Sequence, residues 1–243
     1  MVQFFLVALT ILTLRYLIIA GGLYYVFWKW KSEKFASLKI QPQNPSKERI
    51  RSEILNSCMT FLFFAGVAAL GAFLQEHGLA KLYFNLQDKG IPYFIFTIVL
   101  LLFYHDTYFY FAHRFMHLKF IYPYVHHVHH KSTNPTPFAA FSFHPLESFF
   151  EAIFLIPFVM IVPIHFAAII IFLTISFLLN ALGHLGYEIY PKHWHTHPIL
   201  KWINYPTNHN DHHRYFEGNY GFYFSFWDRV LGTFKSHEDY KRS

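Results

Sequence analysis

The chain has 243 residues, of which 54% are hydrophobic, 22% aromatic and only 14% charged. Soluble domains carry about 25% charged residues, so the composition excludes an ordinary soluble enzyme, a disordered chain and a collagen. Its single cysteine, Cys58, excludes an intrachain disulfide scaffold. The net charge is +6, and 18 histidines outnumber 14 carboxylates.

In chain order, residues 4–28 form the first apolar run, interrupted only by Arg15. The run is long enough to cross a hydrocarbon core of about 30 Å. No Lys or Arg precedes it and no small-x-small site follows it, which argues against a cleaved signal peptide. Arg15 is expected to face the bundle interior or to snorkel. Residues 54–75 and 92–112 are the second and third spans. The run from Phe149 to Leu182 is too long for one span and contains Pro157 and Pro163. It predicts a helical hairpin turning near Val162-Pro163-Ile164, with short arms that tilt or cross in part. The expected fold class is therefore all-α. It is a polytopic membrane bundle of about four spans, the last a hairpin, with a histidine-rich helical cap. Residues 1–243 read as one integral membrane domain, with no repeat and no interdomain linker.

A basic balance suits either nucleic acid or an anionic membrane surface. The distribution favours the membrane. If the spans alternate, segments 29–53, 113–148 and 183–243 share one face, and that face holds 17 of the 20 basic residues. The positive-inside rule puts it in the cytoplasm. No nucleic-acid partner is expected.

The histidines cluster on that same face. His113 and His117 stand four apart, on one side of a helix that continues the third span. His126, His129 and His130 have i, i+3, i+4 spacing, and so do His209, His212 and His213. Asn180 and His184 are four apart at the end of the hairpin. Imidazole suits iron, zinc, copper and nickel. So many donors exceed one tetrahedral zinc, and two metals sharing the set is the natural reading. The alternative, interfacial packing, explains one histidine but not four clusters on one face. His77, His165 and His237 are read as structural. His193, His195 and His197 recur with period two and are read as lining a surface or an access route rather than a second metal site.

The order HxxxH, HxxHH, HxxHH on a small polytopic chain resembles the fatty acid hydroxylase / sterol desaturase superfamily. Asp106 and Tyr110 ahead of His113, the run His144-Pro-Leu-Glu147, NALGHLGYE at 180–188 and NYGFYFSFWDRVLGTF at 219–234 resemble further elements of it. The likeness runs from about residue 92 to 235, the expected histidine-box catalytic region. It implies a membrane-bound non-haem di-iron oxidoreductase, with two iron ions as cofactor and O2 as co-substrate. Such an enzyme hydroxylates or desaturates a C–H site of a lipid drawn from the bilayer. The implied ligands are His113, His117, His126, His129, His130, His184, His209, His212 and His213. Some relatives have a histidine where this chain has Asn180. An amide oxygen is a weaker ligand, which leaves weak ligation, ligation through water, or an open position. A liganding histidine usually donates its other N–H to a carboxylate or carbonyl. Asp106 and Glu147 are the leading carboxylates for that supporting role, ahead of Glu188, Asp211 and Asp228.

The implied chemistry fits the residues, because attack on an unactivated C–H bond needs a redox-active metal and zinc has no redox chemistry. Aromatic segments 103–111 and 138–150 are candidate cavity walls. There is no room for a haem or flavin domain and no G-x-G-x-x-G. Electrons are therefore expected from cytochrome b5, or from a ferredoxin, with its reductase. The active site is expected on the cytoplasmic side, in the inner membrane of a bacterium or the endoplasmic reticulum of a eukaryote. Two alternatives compete. A zinc-dependent membrane hydrolase requires an open three-ligand zinc and a base, and HExxH is absent. A metal transporter requires ligands near the bilayer midplane. The NxxGHxGYE and NYG...WDR elements look nearer to the sterol-modifying branch.

Overall fold

The fold comes from a computed structural model that describes residues 1–242. Among the described residues, four helices are long and apolar enough to cross a membrane: α1 (Val2–Trp30), α2 (Lys47–Glu76), α3 (Gly90–Met116) and α8 (Phe166–Gly183). α1 has no proline in its apolar run, and its second half loosens into π-type turns over Leu17–Gly21 and Tyr25–Trp30. The Ser46 side chain starts α2 by accepting from the Arg49 N–H at 3.1 Å, one of the donors a helix start leaves open.

The expected hairpin is present. Its first arm is broken into α6 (Pro145–Ile153) and α7 (Leu155–Ile161), and its second arm is α8. The first piece ends at Ile153, four residues before Pro157, whose ring clashes with the carbonyl at that position. After Pro163 the chain forms β2 (Ile164–His165), which pairs in parallel with β1 (Leu82–Tyr83), Leu82 opposite Ile164. This pairing ties the hairpin turn to the 77–89 loop.

All the clustered histidines lie at the opposite end. There the indole N–H of Trp28 donates to the Leu185 carbonyl at 2.9 Å, which fixes the end of α1 beside the end of α8. Two apolar clusters hold the bundle. One joins α1, α2 and α8 around Tyr16, Phe61, Phe141 and Phe177. The other joins α3, α7 and α8 around Leu101, Phe158 and Phe172. The outward faces stay apolar, as a bilayer requires: Phe4, Leu14, Ile18, Phe103 and Phe111 are exposed.

The cap is helical, as expected, and built of short pieces. It holds α4 (Tyr122–Val125), α5 (His127–His130) and α9 (Pro206–Tyr215), joined by turns. The tail, residues 219–234, lies back along α3. The Asp106 carboxylate accepts from the Tyr223 N–H at 2.8 Å and the Phe224 N–H at 3.2 Å. Tyr110 and Thr233 hydroxyls meet at 2.8 Å.

Candidate metal centre

Nine histidines converge in two adjoining groups. His113, His117, His126, His130 and His212 form the first; His129, His184, His209 and His213 form the second. Within each group the candidate ligand atoms lie within 4.8 Å of one another. All nine were expected from the sequence, and the structure brings all nine together. It also divides them in a way the spacing does not reveal. In each HxxHH box the i, i+4 pair stays in one group and the third histidine crosses to the other. His126 and His130 stay together while His129 departs. His209 and His213 stay together while His212 departs.

The contacts are made by Nε2 atoms. In the first group Nε2 of His113 stands 2.9 Å from that of His126 and 3.0 Å from that of His212, and His117 and His130 stand 3.1 Å apart. In the second, His184 stands 3.0 Å from His209 and 3.1 Å from His213, and 3.4 Å from His129. Nitrogens bound to one ion at about 2.1 Å stand about 3.0–3.4 Å apart at octahedral to tetrahedral angles. The spacing therefore fits two ions, one in each group.

The outer nitrogens supply a second test. Nδ1 of His113 meets the Tyr220 carbonyl at 2.8 Å, that of His212 the Gly218 carbonyl at 2.7 Å, and that of His213 the Ser132 carbonyl at 3.0 Å. Nδ1 of His184 meets the Asn180 carbonyl at 2.8 Å, and that of His126 meets Glu147 Oε1 at 2.6 Å. An acceptor at Nδ1 puts the proton there and leaves the Nε2 lone pair aimed inward, the arrangement of metal-bound histidine. Burial, followed by crowding from neighbouring imidazoles, holds His126, His129, His130, His209 and His213 well below the ordinary imidazole range. Neutral imidazole is the form that binds metal.

Local structure sets these positions. His113 occupies the last turn of α3 and His117 caps it. Pro206 opens α9, and Phe216 closes it in the left-handed region at φ 64°. Gly218 follows at φ 72°, where a Cβ would stand 2.7 Å from the Thr233 carbonyl. Only glycine makes this turn without strain, and the turn brings the Gly218 carbonyl to His212. Asp228 accepts from the N–H groups of Tyr220 at 2.8 Å and Gly221 at 2.7 Å. It thereby holds the carbonyl that serves His113.

The carboxylates divide. Glu147 is buried and supports His126 directly. Asp106 touches no clustered histidine and holds the tail backbone instead. Asp211 pairs with His237 at 2.7 Å. Glu188 accepts from the Thr207 hydroxyl at 2.6 Å. The Asn180 amide donates to the Ala140 carbonyl at 2.7 Å, and its backbone carbonyl serves His184. His77, His165, His193, His195 and His197 lie outside both groups. Sequence reasoning missed the carbonyl acceptors of Ser132, Gly218 and Tyr220, which carry no side-chain signal. It also missed His105, whose Nδ1 meets the Tyr223 hydroxyl at 2.8 Å.

A groove of about 240 Å³ reaches the second group, with His209 in its wall. Leu102 of α3, Ile175 and Leu179 of α8, and Phe222, Tyr223 and Phe224 of the tail line it, with Asn180 near His209. None of the expected aromatics of 103–111 and 138–150 lines it. Phe103 and Phe111 face outward instead.

These features define a membrane-embedded protein with a two-group histidine centre beside an apolar groove. The chain belongs to the fatty acid hydroxylase family, whose profile matches residues 98–233, more than half its length. It is 32% identical over 195 residues to the Delta(7)-sterol 5(6)-desaturase ERG3A of Gibberella zeae, covering 80% of this chain and 54% of that protein. It is 30% identical over 200 residues to the lathosterol oxidase of Homo sapiens, covering 80% and 64%. It is also 30% identical over 225 residues to the Delta(7)-sterol 5(6)-desaturase erg31 of Schizosaccharomyces pombe, covering 90% and 71%. The chain thus spans between about half and two thirds of the length of the first two relatives. No solved structure matches it.

Proposed function

We propose that this chain is an O2-dependent lipid oxidoreductase with a non-haem di-iron centre, acting on a C–H site of an apolar lipid. The observation that carries the reading is the pair of histidine groups with inward Nε2 atoms, one of them opening on an apolar groove. His113, His117, His126, His130 and His212 would hold one iron, and His129, His184, His209 and His213 the other. Iron held by imidazole supplies redox chemistry with O2 that zinc does not.

The balance is fixed by the chemistry. Hydroxylation takes one C–H bond, O2, two electrons and two protons, and gives a C–OH group and water. Desaturation takes two adjacent C–H bonds with the same O2, electrons and protons, and gives a C=C bond and two waters. The protein's part is positioning. Leu102, Ile175 and Leu179 hold the alkyl portion of the substrate and exclude water, while Phe222 and Tyr223 close the groove. Glu147 keeps the His126 ring in one tautomer. Asp106 holds the backbone of Tyr223 and Phe224, and so the wall of the groove.

The names of the relatives support a sterol-like substrate, with a fatty-acyl lipid as the second choice within the family. Electrons come from an external carrier, cytochrome b5 or a ferredoxin with its reductase. The basic segments 29–53, 113–148 and 183–243 support a cytoplasmic site. Comparing lipids of a host with and without this chain tests the reading. An oxidised sterol or acyl lipid that disappears in the His184→Ala strain is the expected result. An unchanged lipid profile under air and a competent electron donor contradicts it.

A further inference from the structure

A second, larger cavity lies in the half of the bundle away from the histidines. It measures about 600 Å³ and touches none of the nine clustered histidines. Pockets of this size take drug-sized or lipid-sized ligands. The middle of its α2 wall is built from Val67, Ala68, Gly71 and Ala72, small side chains on one helical face, between Phe64 at one end and Gln75 and Glu76 at the other. A Cβ placed on Gly71 would meet nothing within 4 Å. Near the histidines the cavity ends at Phe141 and Phe177, stacked 4.4 Å apart. His105 lines it too, and its bond to Tyr223 makes a shared wall with the groove at His209.

Arg15 stands in this largely apolar space, whose lining also includes Gln75, Glu76, His105, Glu151 and Ser176. Its Cζ lies 5.7 Å above the Phe177 ring, and its buried Nε has no hydrogen-bond partner. No ion pair joins it to another described residue; Glu76 and Glu151 also line the cavity but stay beyond ion-pair distance. A guanidinium within a span normally pairs with an anion or faces water. Here the planar fork is left open toward a long apolar space, and that fork matches a carboxylate with two parallel N–H···O bonds.

We propose that this cavity binds a single-chain amphiphile with a carboxylate head, held by Arg15 with its alkyl chain against the small residues of α2. The site is separate from the groove at His209 and does not depend on the reaction assigned there. Its occupant is a free fatty acid or a molecule with the same head and chain.

The test uses the full-length, metal-loaded protein in nanodiscs, with a fluorescent polyene fatty acid as probe and its methyl ester as control. The acid should bind at least tenfold tighter than the ester. Arg15→Gln should abolish that preference. Gly71→Phe fills the cavity from a position with free space, and should weaken acid and ester alike while metal content stays unchanged. If Gly71→Phe does not fold, Ala72→Leu serves the same purpose. Glu151→Gln should keep the preference for the acid. Equal binding of acid and ester to the unaltered protein overturns the proposal. So does an Arg15→Gln variant that still prefers the acid, or a loss of preference in Glu151→Gln, which would make the two residues a structural pair. The readout needs no turnover, so an absence of lipid oxidation would refute the enzyme reading without touching this one.

Discussion

Each clustered imidazole has two nitrogens, and where both have partners the two point in opposite directions. Glu147 shows what the outer partner does. It is buried, and one oxygen accepts from His126 at 2.6 Å. Removing such a partner typically weakens metal binding 10–100-fold. Glu147→Ala should therefore lose metal to a competing chelator at a 10–100-fold lower chelator concentration; unchanged retention would remove Glu147 from the centre's support. The two-group division makes a finer prediction. His212→Ala and His184→Ala should each halve the metal content, because they belong to different groups. His129→Ala should behave like His184→Ala, and all three should abolish activity while the chain still inserts. His127 is exposed on α5 and outside both groups, so His127→Ala should keep both metals. The nine histidines were legible because i, i+3, i+4 spacing survives any local detail. Their division was not, because it occurs both in the broken α4–α5 stretch and on the unbroken α9, and spacing alone does not say which group each ring joins. Asp106 misled for a related reason: a carboxylate near the boxes has two kinds of N–H to serve, and here it serves backbone.

At the scale of elements, the tail from Asn219 to Phe234 ties the cap to α3 through Asp106 and Tyr110. Gly221 marks how closely it is packed. A Cβ there would stand 2.3 Å from the Phe224 carbonyl and 2.9 Å from Asp228 Oδ2. Both neighbours are fixed, so Gly221→Ala should destabilise the cap by about 1–3 kcal/mol, the usual cost of forcing extra volume into a packed site. Thermal unfolding in detergent should show a lower transition, and metal should leave sooner, since the same turn presents Tyr220 to His113. The spans and the hairpin were readable because long apolar runs admit few structures in lipid. The helical cap was legible from the histidine spacing, but the turns between its helices were not. Its chemistry is carried by turns, and the bond from a Gly218 carbonyl to a ring nitrogen leaves no periodic trace.

For the whole molecule, the charge pattern and the architecture agree on one asymmetry. Basic loops and histidines gather at one end, while the β1–β2 pair ties down the other. Cysteine labelling in a Cys58→Ser background tests the orientation. A cysteine at Lys34 should react only from the cytoplasm, and one at Lys89 only from the other side; the reverse pattern would overturn the cytoplasmic assignment. The apolar 54% of the chain is accounted for by this bundle, and half of its 18 histidines by one centre.

The central claim is that nine histidines hold two redox-active ions. Metal analysis with Mössbauer spectroscopy on protein expressed with labelled iron tests it most directly. The account predicts two iron ions per chain, in nitrogen-rich surroundings, oxidised by O2 after reduction. Protein that binds a single ion per chain after iron reconstitution, or that holds iron inert to O2, would contradict it.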